Sequence, residues 1–241
     1  MVLLHGFTQT CRLWGPFGAA LTRERALIGV DLPGHGESDD VRADLPTTAG
    51  LVVAAVQDTV GADEWDLLGY SLGARVALHV ALLSDSRLRR VVVVGGTGGI
   101  EDPAARDARR DADERTADAL ESSGDVETFL ERWVAGPMFA RLGQAAGLEE
   151  RRRNTAAGLA SSLRLSGVGT QEPLWTQLGQ IEASLLALAG SDDSRFSAHA
   201  LRLAGLVPRG VASLVPGGGH AVHLAQPAAV LRLVSHWLAA A

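Results

Sequence analysis

The stretch LLGYSLGARVAL, residues 67–78, breaks an apolar run with Gly-Tyr-Ser-Leu-Gly and then resumes a helix-like pattern. Glycines flanking a serine as G-x-S-x-G, where a strand hands over to a helix, permit a turn too tight for larger residues. Such a turn is either a pedestal for a nucleophile or merely a sharp connection. The choice depends on whether the chain supplies partners for Ser71.

Around this turn, short β-rich runs alternate with helix-like stretches. Strands are expected at residues 2–4, 27–31, 66–68, 91–94, 185–189 and 212–215. Amphipathic segments fall at residues 14–21, 48–60, 74–83, 195–203 and 227–238. This alternation predicts an α/β fold with a mostly parallel sheet and helices on both faces. The uninterrupted apolar run at residues 91–94 suits a strand buried on both sides. From residue 100 to about 180 no convincing strand occurs, and PAARDARRDADERTADALE and DVETFLERWV read as amphipathic helices. An excursion of that length is too long for a loop. The expected organisation is a core of residues 1–99 and 181–241, with residues 100–180 a helical cap over the carboxyl ends of the strands, where clefts for ligands usually form.

A serine hydroxyl is a poor nucleophile or base at neutral pH and needs an imidazole, itself oriented by a carboxylate. On a sheet of this type the chain order is Ser, then Asp or Glu, then His, each just past a strand end. Ser71 follows the third strand. After the fifth comes GSDDSRF with Asp192 and Asp193, and after the sixth PGGGHAVH with His220 and His223. The three glycines before His220 suit a sharp loop returning over the serine. An oxyanion hole would take one backbone N–H from Leu72, directly after the serine, and a second from the HGF loop after the first strand, making Phe7 N–H the candidate. His5, beside a glycine turn, suits a structural hydrogen bond better than the role of base.

With 241 residues, one large domain with an insertion is expected. The net charge of −6 argues against a nucleic-acid partner, and no apolar run approaches the ~20 residues needed to span a bilayer. The N-terminal MVLLHGFTQT lacks the basic and long apolar regions of a secretory signal. Cys11 is the only cysteine, so no intrachain disulfide or thiolate zinc cluster can form, and a reducing cytoplasm fits. All 22 basic residues are arginine. A GC-rich genome explains that bias, although some of these planar forks could grip carboxylates.

The motifs LLHGFTQT, VDLPGHGESD, LLGYSLGARVAL, ERWVAGPMF, GLASSLRLSGVGTQEPLW and PGGGHAVHLAQP resemble the α/β-hydrolase superfamily. Within it they resemble the SHCHC synthases (2-succinyl-6-hydroxy-2,4-cyclohexadiene-1-carboxylate synthases) of menaquinone biosynthesis. The likeness runs over nearly the whole chain. The family's G-x-x-D-x-[KR]-F segment corresponds to residues 190–196 and selects Asp193 as the acid beside Ser71 and His220. Its GYS-x-GGR segment corresponds to residues 69–75, with Ala74 in place of a glycine, and implies Tyr70 and Arg75 in substrate binding. Arg109 and Arg152 match further carboxylate-binding arginines less securely, and a surface salt bridge is the competing reading for both. Trp133 matches a tryptophan that lines the pocket. The superfamily commonly opens with antiparallel strands, yet only four residues precede His5. A sheet shortened at one edge, or a sequence that starts late, is therefore expected.

The resemblance implies a lyase acting on a small polycarboxylate without metal or cofactor. Loss of a proton α to a succinyl ketone expels pyruvate and leaves a conjugated diene. Two rivals share these residues: an esterase, thioesterase or C–C hydrolase using Ser71 as a nucleophile, and a catalytically silent binding protein on the same fold. An anion-lined pocket would favour the lyase over the first rival, and an intact Ser–His–Asp set argues against the second.

Overall fold

The computed structural model describes residues 1–61, 63–139 and 142–240. Among them, β1 (Val2–Leu4), β2 (Ile28–Val30), β3 (Trp65–Tyr70), β4 (Leu88–Val94), β5 (Ser184–Gly190) and β6 (Gly210–Val215) form one sheet in the order β2-β1-β3-β4-β5-β6. Every pairing is parallel. The chain starts inside the sheet, steps out to the edge at β2, and returns beside β1 at β3. That reversal splays successive loops to opposite sides and opens a crevice at the carboxyl ends of β1 and β3.

Side chains on the inner strands divide by alternation. Val91 and Val93 join one apolar cluster with Leu185 and Ala187, while Val92 and Val94 join the other with Leu186 and Leu188. A strand apolar at every position is thus buried on both faces. Helices α2 (Leu45–Val60), α3 (Leu72–Leu82) and α8 (Ser194–Leu206) cover the first face, and α1 (Gly15–Leu21) and α10 (Pro227–Ala239) the second. A short α9 (Val222–Ala225) precedes α10.

All six expected strands and five core helices are present, displaced by a few residues at their ends. Shifts of three residues occur at the start of β4, the end of α8 and the start of α2, which begins at Leu45 rather than residue 48. The Asp44 side chain accepts from Thr47 N–H at 2.9 Å, and Pro46 lies in the first turn. An acceptor at the N-cap with proline just inside starts a helix before its apolar periodicity is readable.

Residues 103–166 carry α4 (Pro103–Ser123), α5 (Val126–Ala135), α6 (Leu148–Arg151) and α7 (Ala156–Ser166). Asp102 caps α4 by accepting from Ala104 and Ala105 N–H, and Gly124 ends it at φ +63°. That left-handed exit favours glycine. α4 is charged over most of its surface and buries only Asp113, Ala117 and Leu120. These fall three and four residues apart and so share one face. Ala117 packs with Ala160 and Leu163 of α7. No helix of the described residues is long and apolar enough to cross a membrane.

Candidate active site

Ser71 stands on the turn between β3 and α3 with φ +52° and ψ −104°, a conformation rare outside glycine. The flanking glycines are there for room. A Cβ on Gly69 would lie 2.2 Å from Gly73 O, and one on Gly73 would lie 2.0 Å from Leu4 O. Ser71 N–H donates to Val94 O at 2.9 Å, and Gly73 N–H donates to His5 O at 2.9 Å. The second bond staples the turn to the loop after β1, as the pairing of Leu4 with Gly69 requires. Phe7 and Leu72, the two sources of the expected N–H pair, therefore sit on adjoining backbone.

His220 comes in on the loop after β6. Its Nε2 lies 3.1 Å from Ser71 Oγ, and its Nδ1 lies 3.0 Å from Asp193 Oδ2. The geometry fits Ser71 O–H donating to Nε2 while Nδ1–H donates to the carboxylate. Asp193 caps α8 as well, accepting from Phe196 N–H at 3.3 Å. Burial would raise its carboxyl, but the bond to His220 and the nearby charges hold it below the ordinary carboxylate range. The Phe196 ring packs 4.4 Å from the His220 ring, centroid to centroid.

His223 and His5 take other places. His223 is fully buried against Tyr70, ring centroids 4.3 Å apart, and burial pushes its pKa down to about 3. His5 accepts from Leu32 N–H at Nε2 and donates from Nδ1 to Gly6 O, and burial lowers it to about 4. Neither imidazole reaches Ser71.

Ser71 and His220 open into a cavity of about 410 Å³, walled by Phe7, Leu72, Arg75, Arg109 and Trp133 among others. α4, α5 and α7 supply one side and the strand ends the other. Arg75 is 9% exposed and donates to Gln171 Oε1 at 3.3 Å. Burial, then the neighbouring Arg109, lower its pKa to about 10. Arg109 pairs with Asp113 at 2.9 Å. Trp133 meets Phe7 edge-on, centroids 5.1 Å apart. Arg132 and Arg195 also line the space, a contribution the sequence motifs did not single out.

Two expected binding residues are not on this wall. Tyr70 is buried behind the serine, 1% exposed, between the rings of His220 and His223. Arg152 points into solvent, where it pairs with Glu127 at 2.5 Å and Glu149 at 2.6 Å. The inward-facing arginine is its neighbour Arg151, fully buried, which donates to Phe7 O, Thr8 Oγ1 and Ala146 O. Consecutive helical residues point about 100° apart, so a run of three arginines leaves open which one turns inward. Among the described residues no three His, Cys, Asp or Glu side chains gather as a metal-binding group.

A six-stranded parallel sheet with a serine on a strand-to-helix turn and a histidine–carboxylate pair beside it defines a class. The chain belongs to the alpha/beta hydrolase family, whose profile matches residues 1–233. Within that family it is 33% identical to the 2-succinyl-6-hydroxy-2,4-cyclohexadiene-1-carboxylate synthase of Serratia proteamaculans, over 95% of this chain and 89% of that one. It is also 33% identical to the synthase of the same name from Klebsiella pneumoniae, over 99% and 93% of the two chains. Among solved structures it is similar to MenH from S. aureus, with a TM-score of 0.90, 28% identity, and 98% and 92% of the two chains covered. An esterase from Thermogutta terrifontis superposes with a TM-score of 0.79 at 22% identity, over 98% and 88% of the chains, which shows shared fold alone.

Proposed function

We propose that this chain is a 2-succinyl-6-hydroxy-2,4-cyclohexadiene-1-carboxylate synthase, a lyase that eliminates pyruvate from 2-succinyl-5-enolpyruvyl-6-hydroxy-3-cyclohexene-1-carboxylate. The observation that carries this reading beyond fold is Arg75. It is a buried guanidinium on the wall of the cavity that holds Ser71 and His220, in a protein of net charge −6. A substrate bearing three carboxylates needs such local positive charge, whereas a neutral ester does not.

In this reading Ser71, His220 and Asp193 form a catalytic triad acting as a base. Ser71 Oγ takes the proton α to the succinyl ketone while its own proton passes to His220 Nε2, and Asp193 stabilises the resulting imidazolium. Electrons from the broken C–H bond run through the ring double bond and break the bond to the enolpyruvyl oxygen. Pyruvate leaves as its enolate and is protonated, and no water is consumed. The Phe7 and Leu72 N–H groups face the charge that develops on the ketone oxygen. Arg75 and Arg109 hold carboxylates, and Trp133 shapes the apolar side. Residues 100–180 act as the cap over the core, and the single cysteine suits a cytoplasmic enzyme.

The test is to incubate the protein with the enolpyruvyl substrate and follow pyruvate release together with diene absorbance. Ser71→Ala should abolish both signals. Efficient hydrolysis of neutral esters with no pyruvate released would make the protein an esterase.

A further inference from the structure

Thr8 follows Phe7 in a left-handed conformation, φ +67°. A β-branched residue rarely adopts this conformation, and it persists only where the surroundings over-determine it. Here all its polar groups are engaged. Thr8 N–H donates to His35 Nε2 at 3.2 Å, Thr8 Oγ1 accepts from Arg151, and Thr8 O accepts from Asn154 Nδ2 at 2.7 Å. His35 keeps the tautomer this needs by donating from Nδ1 to Pro33 O at 3.1 Å.

Asn154 lies between α6 and α7 and is 3% exposed. Its Nδ2 donates to Thr8 O and Arg151 O, while its Oδ1 accepts from Gly36 N–H at 3.0 Å. Gly36 also has positive φ, +50°, so the carboxamide joins two turns of unusual backbone. An uncharged amide offers a donor and an acceptor side by side on one rigid plane at any ordinary pH. The contact is tight throughout: a Cβ on Gly34 would lie 2.3 Å from Gly158 O in α7.

We propose that Asn154 is a positioning residue for the oxyanion hole: by tying the Thr8 carbonyl to the Gly36 amide it aims Phe7 N–H at the developing oxyanion. This rests on the reading of Phe7 as an oxyanion donor given above. It makes the α6–α7 junction part of the electrostatic machinery, so that displacing this part of the cap loosens the hole. Arg151 grips the same loop, but removing it also removes a charge. Asn154 is neutral, so its replacement by neutral alanine isolates alignment from field, whereas aspartate also brings in a charge.

The experiment compares wild type with Asn154→Ala and Asn154→Asp. Aspartate keeps the acceptor for Gly36 N–H and loses the donor for Thr8 O. Two quantities are read at a temperature where circular dichroism shows each protein fully folded. One is kcat and KM for pyruvate release. The other is the affinity for benzeneboronic acid, in which Ser71 Oγ bonds to boron, its proton passes to His220, and a boronate oxygen enters the hole. Both variants should lose about 10–100-fold in kcat with KM within threefold, and bind the boronate weaker by a similar factor, somewhat less than deleting a donor outright. Should Asn154→Ala not fold, Asn154→Ser, too short to span both turns, carries the same test. Unchanged boronate affinity and kcat, or a rise in KM with kcat intact, would overturn the proposal. If wild type releases no pyruvate while the variants still bind the boronate more weakly, the lyase reading falls and the role of Asn154 stands.

Discussion

Arg75 donates to Gln171 Oε1 at 3.3 Å, and among the described residues no carboxylate lies within ion-pair distance of its guanidinium. Several other arginines pair with carboxylates near solvent, as Arg164 does with Glu114, Asp118 and Glu121. Asp113 acts on this cation at longer range, but among the described residues the guanidinium's hydrogen bond goes to a neutral amide, a weak partner that an anion can displace.

Replacing Arg75 with alanine should therefore cost about 2–4 kcal/mol in kcat/KM toward the polycarboxylate substrate, the scale for losing a charged hydrogen-bond partner. Turnover of p-nitrophenyl acetate, a neutral ester, should barely change. Parallel steady-state assays decide the matter. Equal losses on both substrates would mean that Arg75 supports the fold rather than the anion.

Adjacent arginines should behave oppositely. Arg152→Ala removes only exposed ion pairs and should leave kcat/KM within about twofold, since such pairs contribute little. Arg151→Ala frees Phe7 O and Thr8 Oγ1 and should lower kcat at least about tenfold, the scale of a displaced oxyanion donor. Kinetics of the two purified variants separate them. A silent Arg151 with a sensitive Arg152 would reverse the assignment of which side chain faces inward.

Stability should fall as pH drops below about 6.5. Burial holds His5 to about 4, and His35 and His223 to about 3, so the folded protein keeps these rings neutral where the unfolded chain protonates them. The unfolded state then binds more protons, and stability rises with pH across that window by up to ~1.4 kcal/mol per pH unit per histidine. Urea midpoints at pH 7 and pH 5 should differ by roughly 2–6 kcal/mol in unfolding free energy. An unchanged midpoint would contradict the burial of neutral histidines.

Gly73→Ala should be poorly folded despite the small change. Its new methyl group would sit 2.0 Å from Leu4 O, a backbone atom of a central strand that cannot move aside. Gly50→Ala, with nothing within 4 Å of the added carbon, should be neutral or slightly stabilising. Thermal melts of the two proteins provide the comparison.

Much of this architecture is local enough to be legible in the chain itself. The apolar run ending at Val94 and the glycines around Ser71 are properties of consecutive residues, and the order of serine, acid and histidine past successive strands is read directly along the chain. A parallel sheet imposes its burial pattern on each strand separately. The start of α2 and the direction of the RRR run were less legible, because a cap or a helical phase shifts outcomes by one to three residues without altering composition.

The sequence by itself determined the fold class, the nucleophile turn and the set of residues from which a triad could be drawn. Backbone sterics and hydrophobic periodicity act within a few residues and leave a direct imprint on the string. The glycines before His220 already favoured it over His223 as the partner of Ser71. Tertiary structure alone decided that Arg151 turns inward while Arg152 meets Glu127, and that Asn154 grips the loop of Thr8. Those contacts join residues more than 100 positions apart, as from Thr8 to Asn154, apart from Arg152 and Glu127, 25 apart. Side-chain direction at such distances follows from how rigid elements pack, and packing has no signature in any short stretch of the chain.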